Sequence, residues 1–188
     1  MLFRSFMFGT TAITYNADAL AGGIKTGARD KGTFAWGVSS NDLPSDVSSL
    51  TDAGLMDAHK NAKFLFAKEY GAVALGEDAL ACSPGSLACG CGVIAKGGGS
   101  VAHGHDTKAI GIDSMAVGLG VKTDSKQMFG CGRYNYSTEC AFVVGNGSSS
   151  KSSDAFKVDW SGNTTIAGSL TIGSTTITEQ DLKTLLNK

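Results

Sequence analysis

Long apolar runs are missing from this chain, and no segment is long and apolar enough to cross a bilayer as a helix. Proline is scarce, at 2 residues, and charged residues make up only 18%, with a net charge of −1. That balance supplies no basic face for nucleic acid and no membrane-surface helix. Histidine occurs three times, and the 5 cysteines (Cys82, Cys89, Cys91, Cys131 and Cys140) fit no zinc or redox spacing. They read as free thiols serving as small apolar side chains, which suits assembly in a reducing cytoplasm. The opening "MLFRSFMFGTTAITYNADA" lacks a solid apolar core followed by a cleavage site, so no secretion signal is expected there. Catalytic order is absent too. Glu77, Asp78, Asp106, Asp113 and Asp124 lie scattered through turns, and no nucleophile elbow or phosphate loop occurs. "AKGGGS" at 95–100 falls in register with the turns described next and reads as one of them. No catalytic residue and no cofactor is expected.

Glycine, by contrast, is abundant at 26 residues, and it is not spaced every third position as collagen requires. Ala67, Ala74, Ala81, Ala88, Ala95, Ala102, Ala109 and Ala116 stand seven apart, and glycine usually follows two places on. A coiled coil is excluded, because it needs large apolar residues at two heptad positions and tolerates glycine poorly. Seven is instead a short strand plus a turn, half of a fourteen-residue coil. The fold class expected is all-β: a parallel β-roll of such coils, carrying a small helical insertion.

Strand alternation turns each alanine away from its two neighbours. The eight alanines, with their glycines, are therefore assigned to a thin roll interior that only small residues fill. One half-coil presents an apolar row, Val73, Leu75, Leu87, Cys89, Val101, His103, Met115 and Val117. The other mixes Phe66, Leu80, Cys82, Ile94 and Ile110 with Lys68, Lys96 and Lys108. So thin a tube buries little apolar area against an ordering cost of roughly 1–2 kcal/mol per residue. The apolar row is therefore expected to be covered by identical copies about a symmetry axis, and the lysine-bearing wall to face water. His103 is the only metal candidate. Three copies meeting on an axis would hold a metal or an anion, or else form a packed polar layer that fixes register.

"SLACG", "SVAHG" and "SMAVG" resemble the repeat of the YadA-like head of trimeric autotransporter adhesins, and "AVALG" at 72–76 matches apart from its first residue. "MFGCG" at 128–132 is a diverged copy, while "ALAGG" at 19–23 and "TFAWG" at 33–37 are earlier ones with Ala28 midway. The resemblance implies a left-handed parallel β-roll, a homotrimer and a role in surface attachment.

Four segments are delimited: an N-terminal cap or attachment strand at 1–18, the roll at 19–132 with an insertion at about 38–63, a β-rich module at 133–176 and a helical trimer clasp at 177–188. In the insertion, Thr51 is placed to cap a helix carrying Leu55, Met56, His59 and Ala62 at helical spacing. It either packs over the roll or a trimer groove, or reaches out to a receptor. In the module, "CAFVVGNG" and "DAFKVDWSGN" read as paired strands, and "NTTIAGSLTIGSTTIT" as a half-buried strand. Thr178 caps the last helix, a coiled-coil element whose Leu182 and Leu185 join the trimer interface, with Leu186 on the same side. The phrase "VVGNGSSSKSSDAFKVDWSGN", and roughly 135–170 around it, resembles a segment of bacteriophage tail-fibre proteins.

Together these readings predict a trimeric phage fibre protein, made in the host cytoplasm and carried on the virion. Its partners would be itself, other virion proteins and a host surface polysaccharide or protein, with no nucleic acid and no membrane insertion. The alternatives are a structural virion part such as a head fibre or collar decoration, and a bacterial adhesin head. A glycan-cleaving site between subunits stands last.

Overall fold

The computed structural model describes residues 5–16 and 18–187. Residues 1–4 and 17 of the N-terminal segment, and residue 188 of the clasp, lie outside the described residues. Long and short strands alternate along the first two thirds of the chain. They run β1 (Phe6–Thr10), β2 (Ile13–Thr14), β3 (Leu20–Ile24), β4 (Thr26–Ala28) and β5 (Phe34–Val38), then helix α1 (Asp52–Asn61). The alternation resumes with β6 (Leu65–Ala67), β7 (Val73–Glu77), β8 (Leu80–Ala81), β9 (Leu87–Cys91), β10 (Ile94–Ala95), β11 (Val101–His105), β12 (Lys108–Ala109), β13 (Met115–Leu119), β14 (Lys122–Thr123) and β15 (Phe129–Arg133). The long strands stack in parallel into one sheet and the short ones into another, making a β-solenoid. Val101 lies beside Leu87 and Met115, and Ala102 beside Ala88 and Ala116, so like residues form columns.

The interior is a column of alanine. Ala67, Ala74, Ala81, Ala88, Ala95, Ala102, Ala109 and Ala116 are all fully buried in one cluster. Some buried hydroxyls beside it find partners inside the tube: Ser100 Oγ donates to the Ala109 carbonyl (3.3 Å) and Thr123 Oγ1 to Ser114 Oγ (3.1 Å), while Thr26 Oγ1 and Thr107 Oγ1 are buried without one.

On the long-strand side the glycine column has a different cause from the one expected, whereas Gly97 and Gly111 of the short-strand side are buried as expected. Gly76 is exposed and Gly90 and Gly104 are half-buried, so these residues do not fill the interior. Gly90 and Gly104 have φ of +137° and +123°, and a Cβ on Gly90 would collide with the Gly104 carbonyl oxygen. The column therefore answers a backbone need: each coil turns a corner through left-handed space with the next coil's carbonyl against it.

The roll also starts earlier than its repeat suggests. Phe6 pairs with Leu20 and Ile13 with Gly27, both in parallel, so the segment expected to be a separate cap is a further turn of the solenoid. Across the insertion, β5 pairs directly with β7, and Gly37 meets Gly76. The extra residues bulge out between β5 and β6 without breaking the stack.

At the far end, β16 (Phe142–Asn146) joins β15 in parallel. β17 (Asp154–Val158) and β18 (Thr164–Ile166) follow antiparallel, so the module extends the long sheet. The short sheet stops differently. The Asn135 side-chain amide accepts from the Lys122 backbone N–H (2.8 Å) and donates to the Lys122 carbonyl (2.8 Å), standing in for the strand that would come next. Met128, Cys140 and Val143 close the tube beside it.

"NTTIAGSLTIGSTTIT" is not one half-buried strand. It divides into β18, β19 (Leu170–Ile172) and β20 (Thr175–Ile177), the last two forming a hairpin whose turn holds Gly173 at φ +62°. Nearly all of it is exposed in the single chain. α2 (Glu179–Leu186) follows, opened by a capping box between Thr178 and Asp181.

Candidate interaction surfaces

The two walls of the solenoid differ in what covers them. On the short-strand wall, Phe66, Leu80, Cys82 and Ile94 form a buried patch. The insertion lies on it, contributing Val47, Leu55 and Phe64, each fully buried. This corrects the expectation that the lysine-bearing wall faces water: Phe66, Leu80, Cys82 and Ile94 are roofed by the chain itself, and Ile110 is half-buried beyond the roof. Each side chain of this size contributes roughly 1.5–3 kcal/mol when buried, so the docking is strong. Burial also pushes the Cys82 thiol up to about 12, leaving it a packing group rather than a nucleophile.

Polar contacts fix the roof at both ends. Thr51 caps α1, its Oγ1 accepting from the Gly54 N–H (3.2 Å). Nearby, Lys68, almost wholly buried, is paired with Asp52 of α1 and with Glu69 (3.0 Å). Arg29 donates to the Ser48 carbonyl of the insertion (3.0 Å) while pairing with Asp30 (2.9 Å) and Glu69 (3.0 Å). At the other end, Ser40 donates through N–H and Oγ to the Asp78 carboxylate (2.7 and 2.5 Å). His59 Nε2 lies 2.9 Å from the Asp78 carbonyl and therefore carries the proton, while its Nδ1 is buried without a partner. The ring meets Phe64 edge-on at 5.1 Å. Burial, helped by nearby Lys63, holds the imidazole below its ordinary pKa.

The long-strand wall has no such roof among the described residues. Val73, Leu75, Leu87, Cys89, Val101 and Val117 stand on it half-buried, and His103 and Met115 are exposed. The apolar row runs further than its repeat indicated. Phe34 and Trp36 continue it upstream, with Phe6 and Phe8 beyond them, and Phe129 and Phe142 extend it downstream. Phe8, Trp36 and Phe129 are 56%, 46% and 38% exposed, large apolar areas for a single chain to leave in water. Register could have found them: each lies beside Ala35, Met7, Gly130 or Val143, which share one column with the interior alanines.

His103 sits on this wall between Cys89 and Val117, and His105 Nε2 approaches Asp106 at 3.3 Å. Among the described residues of one chain, no three His, Cys, Asp or Glu side chains are placed to hold a metal ion. Leu182, Leu185 and Leu186 of α2 are exposed at 51%, 71% and 83%, a second uncovered apolar stripe. All five cysteines are free, and Cys89 and Cys131 belong to the bare wall. Comparison with protein-family models, with curated proteins and with solved structures gives no match for this chain.

Proposed function

We propose that this chain is the subunit of a homotrimeric fibre protein of a phage particle, which attaches to the host surface by multivalent binding. The observation that carries the reading is the bare apolar wall. The insertion roofs one face of the solenoid, and the other face keeps a row of Phe, Trp, Val, Leu and Met that no described residue covers. Copies of the same chain, packed wall to wall about a threefold axis, would cover it and bring the α2 stripes together as a clasp. The fourteen-residue coil supports such packing, since every turn presents outward side chains at the same two positions. The phage assignment rests on the likeness of residues 135–170 to tail-fibre segments. A stiff shaft showing three equal outer faces suits weak contacts that add through avidity.

Light scattering on the purified chain tests the assembly, and gold-labelled antibody on imaged particles tests its place. The expected results are a mass three times that of the chain and label on the tail. A stable, unaggregated single-chain species would end the trimer reading.

A further inference from the structure

Beyond the insertion, the short-strand wall carries a cleft of about 260 Å³ lined by Lys63, Lys108, Lys122, Tyr134, Gly120 and Asp106. Three lysines and one aspartate line it. Lys63 lies 4.0 Å from Asp106, and Lys122 reaches outward to Asp124 (2.9 Å). Lys108, half-buried between them in register with Lys122, has no carboxylate within ion-pair distance among the described residues. Burial, with the neighbouring Lys63 and Lys122, holds its ammonium below the ordinary lysine pKa. Such a group gains from an anion.

Tyr134 adds a second, independent observation. Its corner position belongs to a column that reads Asp78, Gly92, Asp106, Gly120 and then Tyr134, all at positive φ. Asp and Gly tolerate that region, and a bulky ring does not, yet Tyr134 sits at φ +41°. The ring lies over Gly120, where any Cβ would collide with it. A strained aromatic at the mouth of a cationic cleft is the kind of outlier that marks a binding site.

We propose that this cleft binds one acidic sugar ring, a carboxylated hexose within a longer glycan. Lys108 and Lys122 take the carboxylate, Tyr134 offers its face to the C–H side of the ring, and Asp106 accepts from a hydroxyl. The Asp106 carboxylate favours a sugar over a bare phosphate because a ring carries neutral hydroxyl donors set apart from its own charge. A volume just under the about 300–1,000 Å³ of drug-sized pockets suits a single ring. The inference rests on the attachment reading and names the chemistry of the receptor.

Calorimetric titration of the full chain tests it, with trigalacturonate, a mannuronate trimer and sialyllactose as acidic probes. Neutral galactotriose and inorganic phosphate at matched ionic strength serve as controls. Saturable binding to at least one acidic probe is expected, none to galactotriose, and weakening of about tenfold or more in Lys108→Gln/Lys122→Gln. Tyr134→Gly, which relieves the backbone, should fold at least as well and still bind more weakly. Binding to none of the acidic probes, equal binding of phosphate, or unchanged affinity in both variants overturns the site. Host-cell binding separates the two readings. Wild-type attachment that survives in the double lysine variant removes this site alone. Glycan binding without any attachment to cells removes the attachment reading alone.

Discussion

The two walls of the solenoid are built from the same backbone and meet opposite fates. Both present apolar columns, but the short-strand wall receives α1 and its flanking loops, and the long-strand wall receives no cover from the described residues of its own chain. The difference teaches how a thin roll acquires a core. Its alanine interior is too slender to carry the fold, so larger side chains are buried on its outside. One roof is supplied in cis, and the other, on the proposal above, in trans.

The largest effect is expected from placing charge on the bare wall. Val101→Glu sets a carboxylate in the middle of the long-strand sheet, leaving the alanine column and the insertion untouched. Light scattering should register loss of the trimer, and alkylation of native Cys89 and Cys131 should speed up. An unchanged mass and unchanged thiol reactivity would place the subunit contact elsewhere.

A smaller effect is expected on the roofed wall. Leu55→Ala removes a fully buried side chain from beneath α1 and should cost about 2–5 kcal/mol. Urea unfolding would measure this, with faster exchange of the α1 amides and a retained oligomeric mass. Simultaneous loss of the trimer would mean that the two walls are not independent.

The smallest is a pH effect at His59. Its folded pKa is depressed by burial, so the unfolded state binds the proton more readily. The stability it supports is complete above the ordinary histidine value, about 6.5, and declines as pH falls below it. The groups facing it are Lys63, whose charge adds to the depression, and Asp78, whose carboxylate is engaged by Ser40. Acidification from pH 7 to 5 should loosen the insertion, read as amide exchange in α1, and His59→Gln should flatten that slope. An identical slope in the variant would assign it to other groups.

The alanine column was legible because the tube interior is narrow enough to dictate one residue at every pass. The helix at 52–61 was legible from Thr51 and its apolar spacing. Which wall that helix covers was not, since an amphipathic pattern names a buried face and not its partner. The first turn escaped because Met7 occupies the alanine place beside Ala21, so the motif is unrecognisable there although the register holds. The long-strand glycines were visible but ascribed to space, when carbonyl approach and φ are what require them. The lysine cleft joins residues 63, 106, 108, 122 and 134, which only the stacking of coils brings together.

Asn135 marks where the short sheet ends. Repeating strands present the same edge at every pass, and such an edge accepts further strands without limit. By offering one amide in the shape of a peptide group, Asn135 satisfies that edge with a unit that cannot itself be extended. The short sheet thus stops on a side chain and a loop, with the Thr138 carbonyl taking the Asp124 and Ser125 N–H groups beside it, while the long sheet runs on through β18.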